Sequence, residues 1–296
     1  MIKTLGNNIV SAFTGGNPVK AIYAYGQLVW PVTIESSYYI KWTPSSAEGQ
    51  FNIDGTTYDL STFSGLYYWS TGIINSSAFQ NNYSIQSIET NATSIGIRAF
   101  MSCSSLSQVS LPMCSYIGGD AFSDCSSLTK ISLPMCSYIG TYAFNSCSSL
   151  SQVSLPVCSD IGGGAFRYCS SLSQVSLPIC GYIGAYVFEY CTSLTQVSLP
   201  MCEFIRVRAF EYCRALLQVN LPICSYIASA VFRYCSSLSR ITIGYSGVCS
   251  LDGTSVFDGT KITSSRGSIY VPASLVDAYK SAENWSVYSN IIYPIN

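Results

Sequence analysis

Histidine is absent from all 296 residues. That removes the Ser-His-Asp and Cys-His hydrolytic machineries and every His-ligated metal site. Charge is scarce as well: Asp, Glu, Lys and Arg make up 10% of the chain, against about a quarter in an ordinary soluble protein. With a formal charge of −1 there is no electrostatic footprint for nucleic acid. No apolar run approaches the ~20 residues of a membrane-spanning helix, so membrane insertion is not expected. Residues 1–10 hold one Lys and no continuous apolar stretch, which does not read as a secretory leader. No C-x-x-C pair occurs among the 14 Cys, an argument against zinc. Nothing in the sequence calls for a cofactor, and the chain is expected not to be an enzyme.

What the chain has in abundance is repetition. Leu106, Leu128, Leu150, Leu172, Leu194, Leu216 and Leu238 are each 22 residues apart, and Phe and Pro columns run in phase with them. The unit reads C-S-S-L-x-x-V-x-L-P-x-C-x-x-I-G-x-x-A-F-x-x. In Leu128–Pro134, Ile131 and Leu133 alternate with Lys130 and Ser132, the period of a strand with one buried face. Pro134 ends the ladder for want of an N–H. Gly140 lets the backbone turn, and Ala143-Phe144 form a short helical turn that drives the ring inward. One such unit cannot bury its apolar side alone; stacked units can. The fold class is therefore a leucine-rich-repeat solenoid, with a β-strand plus short helical turn per 22-residue rung.

The unit resembles the BspA-like leucine-rich repeat, whose hallmark is L-x-x-I-x-[IL]-P followed by I-G-x-x-A-F-x-x-C. The resemblance covers residues 78–243; a second Cys column after the Pro departs from it. It implies adhesion and ligand binding at a surface, through the concave strand face, and carries no catalytic residues. Ala78, Phe79, Ile85, Ile88, Ile95 and Gly96 form a degenerate first rung. The string V-P-A-S-L-V-D-A-Y-K-S-A-x-N-W is similar to the family's C-terminal cap, placed at 244–296. There, residues 268–272 read as a last strand, 274–281 as a helix capped by Ser274, and Trp285 with Ile291-Ile292-Tyr293 as a plug. Residues 32–77, with an Asp54-Gly55 turn signal, read as a β-rich N-terminal cap. Residues 1–31 read as a small β attachment module of four strands punctuated by Asn7-Asn8, Gly15-Gly16 and Gly26-Gln27. Its segment VKAIYAYGQLVWP resembles N-terminal segments of structural proteins in phages of gut bacteria.

Two columns are candidates for ligand binding. Gln108, Lys130, Gln152, Gln174, Gln196, Gln218 and Arg240 occupy outward strand positions, beside Ser110, Ser132, Ser154, Ser176, Ser198, Asn220 and Thr242. Their bland alternative is a solvated sheet with internal Gln ladders. Tyr168, Tyr190, Tyr212 and Tyr234 form an aromatic strip, whose alternative is packing of neighbouring rings. Glu189 and Glu211, one rung apart, have the spacing of a glycosidase pair. Flanked by Arg167 and Arg233, they read instead as a solvated ion-pair ladder. Thirteen Cys recur every 11 residues and are expected to be buried, reduced thiols.

These readings give a non-enzymatic surface binding protein. Its expected setting is a phage virion, with residues 1–31 contacting other virion proteins; a secreted or surface-bound bacterial adhesin is the alternative and a glycan-active enzyme a distant third. The expected partner is a host surface glycan or protein, neutral because the chain's own charge is low. Homo-oligomerisation is left open.

Overall fold

The computed structural model describes residues 72–83, 85–90, 92–264 and 266–295. Before these it describes only the backbone of the strands Val10–Thr14, Asn17–Ala24, Gln27–Pro31, Gln50–Ile53, Thr56–Asp59 and Leu66–Trp69. The turn signals Asn7-Asn8, Gly15-Gly16, Gly26 and Asp54-Gly55 lie outside the described residues, as does any strand ahead of Val10. The first three strands form an antiparallel sheet of their own, and Gln50–Ile53 pairs antiparallel with Thr56–Asp59.

From Leu66 onward the chain winds as a parallel β-solenoid. Each rung contributes a three- or four-residue strand, such as Gln152–Ser154, and a two-residue strand, such as Asp160–Ile161. The longer strands stack in register from Leu66–Trp69 to Gln196–Ser198. A second run joins Gln218–Leu221, Arg240–Ile243, Ser268–Val271 and Ile292–Pro294. The short strands form one unbroken nine-stranded sheet from Ile73–Ile74 to Ser250–Leu251. The sequence reading anticipated the longer strand and not the shorter. Two residues cannot display alternation, although the buried Ile of each pair lies in a visible 22-residue column.

A third ladder runs through the A-F segment. Gly164, Phe166 and Tyr168 donate their N–H groups to the carbonyls of Ala185, Val187 and Glu189 in the next rung, at 2.8, 2.9 and 2.9 Å. The intervening Ala165 and Arg167 bond locally, to Gly162 and Gly164. The segment is thus a run of turns punctuated by left-handed residues four positions apart. Two residues per rung have positive φ, for example Tyr142 (56°) with Ser146 (59°) and Tyr186 with Tyr190 (both 62°). Side chains seldom take that conformation, which costs roughly 1–2 kcal/mol each. The inter-rung bonds it permits offset the cost.

Burial follows the columns. Nine phenylalanines, from Phe79 to Phe257, stack with centroids 4.9–5.8 Å apart. The Leu, Ile, Ala and both Cys columns are buried beside them. Gly140, where the backbone was expected to turn, does not have a positive φ. A Cβ there would lie 2.5 Å from Gly119 N and 2.6 Å from Gly118 C, so glycine is required by the close approach of the preceding rung.

At the C-terminal end Trp285, Tyr288, Ile291 and Ile292 are buried against the last rung, while Tyr293 is exposed. Trp285 Nε1 donates to Cys249 O at 2.7 Å, Cys249 N to Tyr279 Oη at 2.8 Å, and Tyr288 Oη to Thr254 O at 2.8 Å. The helix there spans Val276–Ser281. Ser274 does not cap it; it lies inside a preceding 3₁₀ turn, Ala273–Leu275, and Leu275 holds the cap position without a side-chain bond. The terminal strand is Ile292–Pro294, one beyond Ser268–Val271.

Candidate functional site

Alternation along each longer strand divides its side chains between core and solvent. In Gln152-Val153-Ser154 the Val is buried and its neighbours exposed, and the pattern recurs at Gln108–Ser110, Lys130–Ser132 and Gln174–Ser176. Strand register then aligns like with like: Lys130, Gln152, Gln174 and Gln196 pair in sequence, and Gln218 pairs with Arg240. The face is hollowed into a shallow trough of about 780 Å³. Lys130, Gln152, Gln174, Gln196, Gln218 and Arg240 line it, with the serines, Asn220 and Thr242 alongside. Gln108 lies on the same face one rung outside the trough.

Hydrogen bonding separates two kinds of polar residue on this side. The Ser and Thr just ahead of these strands, which Leu217 replaces before Gln218, are committed internally. Thr129 Oγ1 donates to Ser107 O at 3.0 Å, Ser151 Oγ to Thr129 O at 3.2 Å, and Ser173 Oγ to Ser151 O at 3.2 Å. A second seam does the same at Ser115, Ser137 and Ser159. The amides of Gln152, Gln174, Gln196 and Gln218, by contrast, have no hydrogen-bond partner among the described residues. The face is therefore not a closed Gln ladder, and each amide keeps a donor and an acceptor for solvent or ligand.

The Tyr strip is differently made. Tyr168, Tyr190, Tyr212 and Tyr234 stack with centroids 4.9, 4.4 and 4.7 Å apart. Arg167 lies 4.7 Å over Tyr168, and Arg233 lies 5.4 Å from the Tyr234 centroid. Burial, with Tyr212 beside it, pushes the Tyr190 hydroxyl above its ordinary pKa. Only the two outer rings are well exposed. Much of the strip's contact capacity is spent inside the molecule.

Beneath it lie Glu189 and Glu211. They are not the solvated ladder expected from sequence: their exposures are 3% and 1%. Arg167 pairs with Glu189, Arg233 Nη2 with Glu211 at 2.5 Å, and Arg208 Nε with Glu211 at 3.5 Å. Burial raises the Glu189 carboxyl above the usual carboxylate range, with Arg167 opposing. The expected ion pairs form, but with the carboxylates buried and their arginines nearer the surface: side-chain exposure is 30% for Arg167 against 4% for Glu189, and 29% for Arg233 against 1% for Glu211. Dry, Arg-locked carboxylates leave no room for the sugar and water of a glycosidase.

All fourteen Cys are free and buried. Burial pushes the thiols of Cys103, Cys136 and Cys158 up to about 12, the direction of inert, protonated sulfur. Cys224 alone is shifted downward, by a hydrogen bond with the Cys249 thiol of the cap. Two exposed columns escaped the sequence reading. Tyr116, Tyr182 and Phe204 stand on the short strands; Met113, Met135, Val157, Ile179 and Met201 follow the prolines, each 38–54% exposed. The apolar residue after each Pro was a visible signal that binary patterning of the strand alone does not use.

No helix among the described residues is long and apolar enough to cross a membrane. A search of curated proteins returned no match. Among solved structures, a leucine-rich-repeat protein of T. pallidum (TpLRR) is similar at 33% identity and TM-score 0.47, over 49% of this chain and 71% of its own. One from Bacteroides ovatus is similar at 19% identity and TM-score 0.43, over 99% of this chain and 100% of its own. A leucine-rich cell surface protein of Faecalibacterium prausnitzii is similar at 16% identity and TM-score 0.30, over 98% and 97%. Six copies of the BspA type leucine-rich repeat region match residues 72–180 and 159–282, so the register read from the columns and the match coincide, and the chain belongs to the BspA-type leucine-rich-repeat family.

Proposed function

We propose that this chain is a non-enzymatic binding protein whose trough holds a hydroxyl-rich surface ligand, a glycan or a glycan-bearing protein. The observation that supports this reading is the row of exposed Gln amides without partners among the described residues, beside a seam of Ser and Thr hydroxyls that bond to the preceding rung. A hydroxyl group can donate to an amide oxygen and accept from an amide nitrogen, so such a row is complementary to sugars. The Tyr strip ranks second because its rings already stack on one another.

For setting, we read the chain as a virion protein with residues 1–31 as its docking module and the solenoid projecting as the receptor binder. This draws on the sequence of that module and on its strands pairing, among the described residues, with one another. The alternative, a bacterial surface adhesin, draws on the family membership. Mass spectrometry of purified phage particles separates the two settings.

The binding test is a pair of triple variants assayed on host cells. Changing Gln152, Gln174 and Gln196 to Ala should abolish most attachment; changing Tyr168, Tyr190 and Tyr212 should reduce it less. Circular dichroism checks that both stay folded. If both folded triples attach as the parent does, the solenoid is a spacer and the assignment fails.

A further inference from the structure

The chain's net charge of −1 favours a neutral ligand, but the trough is not a fair sample of the chain. None of its lining residues is acidic, and two are cationic: Lys130 near one end and Arg240 near the other. Among the described residues, the ion pairs engage Arg98, Arg167, Arg208 and Arg233. Lys130 and Arg240 take no part in them. Both are exposed. The site therefore carries two positive charges, no negative charge and no internal counter-ion.

Arg240 is also held in place. Its guanidinium lies 4.2 Å over the ring centroid of Tyr270. Tyr270 is the register partner of Thr242, and Tyr293 of Tyr270. The row of hydroxyl and amide side chains from Ser154 through Ser176, Ser198, Asn220 and Thr242 thus runs into two tyrosines, their rings 6.0 Å apart. A guanidinium stacked on a ring keeps its edge N–H groups directed outward, and less side-chain freedom is lost when an anion binds it. That fork suits a carboxylate or sulfate, which it can hold through two charge-assisted hydrogen bonds.

Resting on the reading of the trough as the binding face, we propose that its ligand is an acidic glycan. Arg240 on its Tyr270 platform takes a carboxylate or sulfate group, and the Gln amides take the hydroxyls of the chain leading away from it. Lys130 lies five rungs away, ~24 Å along the ladder at one strand spacing per rung. An extended oligosaccharide with repeated acid groups would meet both cations. A protein partner fits less well, because protein interfaces anchor on large side chains seated in pockets. Here the floor residues Val153, Val175 and Val219 are sealed at 7%, 4% and 2% exposure, and Val197 between them is only partly open.

The test is a panel of defined oligosaccharides on the intact chain, measured by titration calorimetry. It pairs oligogalacturonate with its methyl ester, and hyaluronate and chondroitin sulfate fragments with chitooligosaccharides. At least one acidic member should bind, roughly tenfold tighter than its neutral counterpart, the value of one charge-assisted contact. Its affinity should fall with added salt. Arg240→Gln should bring it down to the neutral level, and Arg240→Lys should restore part of the difference. Tyr270→Leu should weaken it less than Arg240→Gln does. Binding to neutral members only, binding to no member, or acidic binding indifferent to Arg240→Gln would each overturn the proposal. The Gln152/Gln174/Gln196 triple separates the two levels. A ligand lost in the triple yet indifferent to Arg240→Gln removes the acidic assignment and spares the trough; one indifferent to both removes both.

Discussion

Replacing Phe166 with Ala perturbs the middle of the phenylalanine stack. The ring is fully buried, with Phe144 at 5.2 Å on one side and Phe188 at 5.6 Å on the other. Truncation removes the burial of the ring and leaves a cavity that close-packed neighbours fill poorly, a loss of about 3–5 kcal/mol for Phe→Ala. Two stacking contacts vanish with it, each worth about 0.5–1.5 kcal/mol beyond burial, which places the expected loss toward the upper part of that range. The geometry adds a further consequence. Each rung of a solenoid contacts only its neighbours, so stability is close to a sum of rungs and interfaces. A weakened central interface should let the two sides unfold separately. Urea titration followed by circular dichroism should show a lower midpoint and a shallower or split transition. A loss below 1 kcal/mol with an unchanged slope would refute the inward placement of the column.

The other predictions concern charge, sulfur and the N-terminal sheet. Because burial raises the Glu189 carboxyl, the folded state holds that proton more tightly than the unfolded chain does. The site's contribution to stability is therefore fully present below the unfolded carboxylate range and is lost as pH rises through the folded value. The melting temperature of the parent relative to Glu189→Gln should increase as pH is lowered from about 7 to about 4, and a difference that is flat or shrinks rejects the assignment. A thiol reagent at neutral pH should label the native, reduced chain negligibly and all 14 thiols after denaturation; fewer would reveal disulfides, with Cys224 and Cys249 the first pair to inspect. Deleting residues 1–30 should leave the melting transition nearly unchanged, since among the described residues the strands between Val10 and Pro31 pair with one another; aggregation of the truncated chain would count against a separable module.

Much of this architecture could be read from the columns, because repetition multiplies a weak local signal. Alternation in Lys130-Ile131-Ser132 is slight evidence for a strand, but the same alternation at every rung is decisive. What repetition could not supply was backbone chemistry. The left-handed residues at Asp124, Ser146, Tyr168 and Tyr190 are not glycines, so nothing in the sequence announces the third ladder. Gly140 did announce something, and the cause was contact with the rung before it. At the trough the sequence placed the Gln column outward, but it could not tell a closed amide ladder from an open one. That depends on hydrogen bonds made by the adjacent Ser and Thr. Glu189 and Glu211 showed the converse: their partners were legible, and their burial was not.

The third ladder has a consequence for the long axis of the molecule. In an ordinary strand successive peptide groups point to opposite sides, and their dipoles nearly cancel. On this segment every second N–H points toward the following rung, while those between bond locally. Residues 98, 100 and 102 donate to 119, 121 and 123, and residues 208, 210 and 212 donate to 229, 231 and 233. Each such rung adds three peptide dipoles of one sense, stacked head to tail as in an α-helix. Elsewhere in each rung the donors run the other way: residues 115 and 118 donate to 93 and 95, and residues 137 and 140 donate to 115 and 117. Every rung is thereby clamped by donors of both senses whose dipoles offset one another along the axis, and an end rung leaves acceptors open on one arc of its rim and donors on another.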